Sequence, residues 1–347
     1  MNRIEFGDCR DTMRRWAADG VRAQMCVTSP PYFGLRDYGH DGQIGLEQTP
    51  EQYIAAMVEV FRCVRDVLAD DGTLWLNIGD SYATQGGAHG GRNDNQRGVG
   101  AKRTHDNGGG DQQARRAPDG LKPKDLIGIP WMLAFALRAD GWYLRQDIIW
   151  HKPNPMPESV RDRCTKAHEY IFLLSKAERY FFDNDSIREP WEGEAAKAVA
   201  MGTKEVGQRG INASARRGLT DGQTTQFRKQ GHSGYFGADG KCLLNPLGAN
   251  KRSVWKVATR PYKGAHFATF PPALIEPCIL AGSRPGDIVL DPFMGSGTTA
   301  AVAIQHGRQY LGCELNPEYG PLQDERIAAA ISSFLASSAQ MSLLEGA

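Results

Sequence analysis

The sequence predicts one large α/β domain built on a mostly parallel sheet with helices on both faces. Two stretches predict it. Residues 3 to 85 alternate strand, helix, strand, helix, strand, and from Pro271 the alternation resumes around a hydrophobic strand that runs into a glycine turn and then a helix. Composition agrees: 347 residues with 41% apolar and 23% charged side chains describe an ordinary globule, neither disordered nor fibrous.

Taken in order, a short first strand ends at Gly7-Asp8 and a polar helix follows. Gln24 to Val27 form the second strand, which stops at Thr28-Ser29-Pro30-Pro31-Tyr32. From Glu51 to Ala69, Ile54, Met57, Val58, Phe61, Val64 and Leu68 recur at helical spacing; Asp71-Gly72 ends that helix, and Thr73 to Ile78 reads as a buried strand. Between Gln85 and Gly110, nine of 26 residues are glycine among Asn, Asp, Arg and His, a composition that builds no core and predicts a mobile loop. A helix Leu126 to Ala139 follows, then strands Tyr143 to Trp150 and Tyr170 to Leu174. Residues 191 to 250 are polar, basic and Gly-rich. The last third reads as helix Ala273 to Ala281, strand Asp287 to Leu290, a glycine loop, helix Thr298 to His306, strand Tyr310 to Cys313 and an Ala-rich helix.

Several function classes are excluded early. No apolar run is long enough to span a bilayer, and the start lacks the basic-then-apolar layout of a signal peptide, so a cytoplasmic location is expected. Seven scattered cysteines, never spaced C-x-x-C, read as reduced core thiols rather than disulfides or a zinc site. The 41 Lys+Arg against 40 Asp+Glu give a net charge of +1, yet residues 191–260 hold 12 basic and 5 acidic side chains, a local +7. Screening confines each charge to about 10 Å, so this local surface is suited either to phosphates or simply to solvent.

Two constellations carry chemistry. In Asp287-Ile-Val-Leu-Asp-Pro-Phe-Met-Gly-Ser-Gly-Thr-Thr299, Gly295 and Gly297 permit positive φ and leave no Cβ in a ligand's way, and the helix that follows offers free N–H donors. The next strand ends at Glu314, where an acidic side chain suits the ribose hydroxyls of an adenosine ligand. The loop lacks the Lys-Ser/Thr ending of a triphosphate site. In Ser29-Pro30-Pro31-Tyr32 two prolines fix the backbone and remove N–H donors, which leaves carbonyls and the Ser29 hydroxyl as acceptors beside an aromatic ring. This is either a holder for a flat amino-bearing base or a turn.

Together these motifs resemble the amino-group DNA methyltransferases, whose catalytic tetrapeptide D/N/S-P-P-Y/F is matched by Ser29, Pro30, Pro31 and Tyr32, and whose cofactor loop D-P-F-x-G-S-G-T is matched by Asp291 to Thr298. With the catalytic motif first and the cofactor loop last, the order resembles that of the β group. The resemblance implies a Rossmann-like methyltransferase fold with a seven-stranded, mostly parallel sheet and permuted motif order. It implies S-adenosylmethionine as cofactor, leaving as S-adenosylhomocysteine, and no metal. Asp8, Thr28, Phe267, Thr269, Asp291, Pro292, Phe293, Gly295, Ser296, Gly297, Thr298 and Glu314 are then the expected cofactor contacts. It also implies double-stranded DNA as substrate, with base flipping and a methyl delivered to an exocyclic nitrogen. Resemblance to family members that carry Thr-Ser-Pro-Pro-Tyr implies cytosine N4 as the favoured target. Adenine N6 is the first alternative, and a non-catalytic DNA-binding protein of the same fold is the alternative of another class.

The expected organisation is a catalytic half (1–84 and 126–190), a Gly-rich insertion (85–125), a basic target-recognition insertion (191–260), a cofactor half (261–330) and a tail (331–347). Arg216, Arg217, Arg228 and Lys229 are expected to meet DNA. Lys152 and Asn154, in a proline-fixed loop, either line the base pocket or sit in a plain connection. Asp80 either faces the base or caps a helix. Cys278 follows a proline, as the nucleophile of cytosine-C5 methyltransferases does, but its apolar helix marks it as a core thiol. His168-Glu169 lacks a second zinc ligand and is expected to be structural or DNA-proximal. The sequence leaves open a cognate restriction endonuclease as partner and the oligomeric state, a homodimer being one option.

Overall fold

The computed structural model describes residues 1–35, 40, 42–83, 120–203, 242–259 and 270–345. Its strands are β1 (Arg3–Phe6), β2 (Ala23–Thr28), β3 (Leu68–Ile78), β4 (Tyr143–His151), β5 (His168–Ser175), β6 (Val254–Lys256), β7 (Ile288–Asp291) and β8 (Gln309–Glu314). They form one sheet in the order β1-β8-β7-β2-β3-β5-β4-β6. Each neighbouring pair is parallel except those made by β5, which runs antiparallel between β3 and β4.

The seven expected strands are all present, and β6 is an eighth at the edge. It lies inside the basic stretch 191–260. Trp255 turns inward there, with its ring 6.5 Å from that of Trp75, while Val254 and Lys256 stay exposed. Three residues are too few for periodicity to register, so the strand was hidden in the sequence.

The helices are α1 (Cys9–Ala18), α2 (Pro50–Val67), α3 (Ile129–Ala139), α4 (Gly193–Thr203), α5 (Pro272–Gly282), α6 (Thr298–Gln305) and α7 (Gly320–Glu345). Thr49 caps α2 by accepting from the Gln52 N–H at 3.2 Å, and Pro50 sits where no N–H is needed. That helix ends before its periodicity does, because Leu68 enters β3 and pairs with Ala23. α7 runs on through the segment expected as a tail.

Two cores flank the sheet. Met13 and Trp16 of α1, Met57 and Phe61 of α2 and Leu133 of α3 pack on one face, while Ile275 and Cys278 of α5 and Val302 of α6 pack on the other. Cys278 is fully buried, and burial pushes its thiol far up, as a core residue requires. β2 and β7 are neighbours, yet α2 carries the chain from β2 to β3 on one side while α6 carries it from β7 to β8 on the other. The crossovers diverge here, and a crevice opens at the carboxyl ends of these two strands.

Candidate active site

One cleft of about 1020 Å³ lies at that switch point. The residues that follow β1 (Asp8), β2 (Ser29 to Tyr32), β3 (Gly79, Asp80), β4 (Lys152), β7 (Pro292 to Ser296) and β8 (Leu315) all line it, and antiparallel β5 contributes its opposite end, His168 and Glu169. Small-molecule sites occupy about 300–1,000 Å³, so this cleft has room for more than one ligand group.

The Ser29-Pro30-Pro31-Tyr32 turn is anchored at both ends. The buried Tyr53 hydroxyl of α2 donates to the Pro31 carbonyl at 2.9 Å, and the Tyr32 hydroxyl donates to Glu169 Oε2 at 2.7 Å. Burial first, and then the Glu169 charge, push the Tyr32 phenol well above its ordinary value, so it remains a donor. Ser29 and Pro30 line the cleft between these anchors.

The glycine turn opposite is equally fixed. Gly295 and Gly297 have φ of 53° and 80°, conformations that L side chains rarely adopt. The Glu314 carboxylate accepts from the Gly295 N–H at 2.7 Å and from the Asn316 N–H at 2.9 Å, so it shapes the turn as well as lining the cleft. Burial raises its pKa. Asp8 also lines the cleft; it caps α1 through the Arg10 N–H and pairs with the Arg10 guanidinium, which holds its carboxyl below the usual range.

Three expected cofactor contacts stand behind the wall instead. Asp291 is buried and accepts from Thr28 Oγ1 (2.6 Å), Thr299 Oγ1 (2.6 Å) and the Phe293 N–H (3.0 Å), so its lone pairs serve the fold. Thr28 is consumed in that bond, and Gly297 packs against Gln323 of α7. Pro292, Phe293, Ser296 and Thr298 do line the cleft. Phe267, Thr269, Arg216, Arg217, Arg228 and Lys229 lie outside the described residues.

A family model described as DNA methylase (N6_N4_Mtase) matches residues 23–323. The chain belongs to this family. The Type II methyltransferase M.SmaI of Serratia marcescens is 45% identical over 94% of this chain and 90% of its own length. Among solved structures, the cytosine-N4-specific PvuII DNA methyltransferase matches at TM-score 0.55 and 16% identity, covering 96% of this chain and 93% of that one. The Thermus thermophilus protein TTHA0409, crystallised with S-adenosyl-L-methionine, matches at TM-score 0.53 and 22% identity, covering 95% of each chain. At these identities the two structural matches speak to the fold.

In this methylase Asp80 does cap a helix: its carboxylate accepts from the Gly128 and Ile129 N–H groups at the start of α3 while it also borders the cleft. Asn154 lines the cleft too, with both ends of its amide engaged by the Thr259 backbone, at 3.1 and 3.0 Å. Lys152 pairs with Glu169 and lies 4.3 Å over the Trp150 ring. Tyr53 and Asn77 are the members that sequence reasoning missed as site residues, while Glu169, expected to be structural or DNA-proximal, lines the cleft. Tyr53 hides in an apolar stripe, and Asn77 in a buried strand. Among the described residues no group of three or more His, Cys, Asp or Glu is placed to hold a metal ion.

Proposed function

We propose that the chain transfers a methyl group from S-adenosylmethionine to the N4 amino group of cytosine in duplex DNA. The observation that supports methyl transfer to an exocyclic amino group is the cleft shared by Ser29, Pro30 and Tyr32 on one wall and Gly295, Phe293 and Glu314 on the other, and the choice of cytosine rests on the Thr28-Ser29-Pro30-Pro31-Tyr32 resemblance. The M.SmaI likeness, the PvuII fold match and the S-adenosyl-L-methionine bound to TTHA0409 support it.

The cofactor wall fits such a ligand. A Cβ on Gly295 would meet nothing nearer than the Phe293 carbonyl at 3.9 Å, so the space beside that glycine is open; Phe293 and Pro292 offer apolar surface, Glu314 offers a carboxylate for hydroxyl groups, and Asp8 borders the cleft with both oxygens held by Arg10. Bound there, S-adenosylmethionine supplies a methyl already activated by its sulfonium. What remains for the protein is the nucleophile. An exocyclic amino lone pair is delocalised into the base ring, and the Ser29 hydroxyl and Pro30 carbonyl accept its N–H bonds as it pyramidalises, at positions the two prolines hold in advance. The nitrogen lone pair would take the methyl, the electrons of the broken C–S bond would stay on sulfur, and the methylated nitrogen would then give up one proton to water, so no protein nucleophile is needed. The amino group is out of reach inside a duplex, so the base is flipped into the cleft and stacks on Tyr32.

Residues 85–125 and 191–260 are the proposed DNA-gripping insertions. A paired restriction endonuclease, a homodimer and a cytoplasmic location belong to the same proposal; among the described residues no helix is long and apolar enough to cross a membrane. The direct experiment incubates the purified chain with methyl-labelled S-adenosylmethionine and duplex DNA. Label in the DNA is expected. Cofactor binding without transfer to any DNA would favour the non-catalytic alternative.

A further inference from the structure

Glu169, at the start of β5, gathers side chains from three other elements. Tyr32 donates to its Oε2 at 2.7 Å, Asn77 of β3 donates to the same oxygen at 3.3 Å, and the Lys152 ammonium pairs with Oε1. The carboxylate is only 15% exposed, and a charge so withdrawn from water is tolerated because it is paired. Each of these partners lines the cleft.

The Tyr32 ring is confined from a second side. A Cβ on Gly79 would stand 2.6 Å from Tyr32 Cε2 and 3.3 Å from the Glu169 carboxyl carbon. Gly79 is absent from the positive-φ glycines, so its lack of a side chain serves the ring's approach rather than a turn. The hydroxyl is pinned at its tip and the ring edge rests on bare backbone.

We propose that Glu169 is a positioning residue that locks the Tyr32 ring as the platform for the flipped base, an inference that rests on reading this cleft as a base pocket. A tyrosine left free at the end of a proline turn would have to be ordered each time a base enters, and a displacement of about 1 Å at a reacting centre lowers rates by about 10²-fold. Lys152 neutralises the carboxylate, so the platform is held without placing a bare negative charge beside an incoming phosphate.

The test compares Glu169→Ala, Glu169→Gln, Tyr32→Phe and the Glu169→Ala/Tyr32→Phe pair, with labelled methyl transfer for kcat and calorimetry for cofactor Kd. Glu169→Ala is expected to lower kcat about tenfold or more with cofactor Kd unchanged. Glu169→Gln keeps an oxygen for the Tyr32 hydroxyl and should recover most of the rate. Tyr32→Phe also removes the Ser29 bond to the Tyr32 hydroxyl, so it should lose at least as much as Glu169→Ala, and the pair should lose no more than Tyr32→Phe alone. The proposal is overturned if the losses multiply, if Gln is no faster than Ala, or if Tyr32→Phe retains full kcat, a result that holds even where Glu169→Ala does not fold. A wild-type chain that transfers no methyl overturns the function itself. An active wild type with an equally active Glu169→Ala overturns only the positioning role.

Discussion

The Thr28 hydroxyl at the end of β2 donates to the Asp291 carboxylate at the end of β7 over 2.6 Å, joining residues 263 positions apart. This bond stitches the strand that leads into Ser29-Pro30-Pro31-Tyr32 to the strand that leads into the glycine turn. It reinforces the pairing of β2 with β7 at the ends from which the two walls of the cleft rise.

Burial outweighs the three donors around Asp291 and pushes its pKa from 3.8 up to about 6. The folded state then holds this proton more tightly than the unfolded chain does. The stabilising contribution is complete below about pH 4 and is lost as pH rises through 6. Asp291→Asn removes this dependence. Between pH 4 and 7 the unfolding free energy of the wild type should fall relative to the variant by on the order of 2–3 kcal/mol, read from urea titrations. Parallel pH profiles would contradict it.

Much of this was legible in the sequence, for identifiable reasons. The Ile54-Met57-Phe61-Val64 stripe marked α2, and Gly295 and Gly297 marked a turn whose φ angles demand glycine. What was not legible depends on contacts across the sheet. Asp291 has the look of a ligand contact beside a glycine loop, and only its long-range partner Thr28 reveals a buried strut. His168-Glu169 stands out in the sequence only as structural or DNA-proximal, and the partners of Glu169 emerge when β5 pairs antiparallel with β3 and β4, which brings its carboxylate to Tyr32, Asn77 and Lys152.

Cofactor affinity should depend on the glycine turn and its brace. Glu314→Ala removes an acceptor and frees the Gly295 N–H, and Gly295→Val places methyls in the open space of the cleft at a φ of 53°. Each is expected to weaken S-adenosylmethionine about tenfold or more by calorimetry. Unchanged affinity in both folded variants would remove the turn from the cofactor site.

Neutralising Arg216, Arg217, Arg228 and Lys229 should weaken DNA binding while sparing cofactor affinity, because these residues carry part of the local +7 of residues 191–260. Every phosphate that loses its cationic partner should flatten the plot of log K against log salt by about 0.9. An unaltered slope would place DNA elsewhere.

In the proposed mechanism the Ser29 hydroxyl's bond to the amino group strengthens as the nitrogen pyramidalises, so Ser29→Ala should lower kcat more than it lowers DNA affinity. Single-turnover rates beside binding isotherms separate the two. Equal losses in both would make Ser29 a binding contact only.

Digesting the methylated DNA to nucleosides and separating them by mass spectrometry tests the central claim most directly. The cleft calls for an exocyclic amino group, and the resemblance carried by Thr28-Ser29-Pro30-Pro31-Tyr32 makes N4-methylcytosine the predicted product. N6-methyladenine as the sole product would contradict the cytosine assignment.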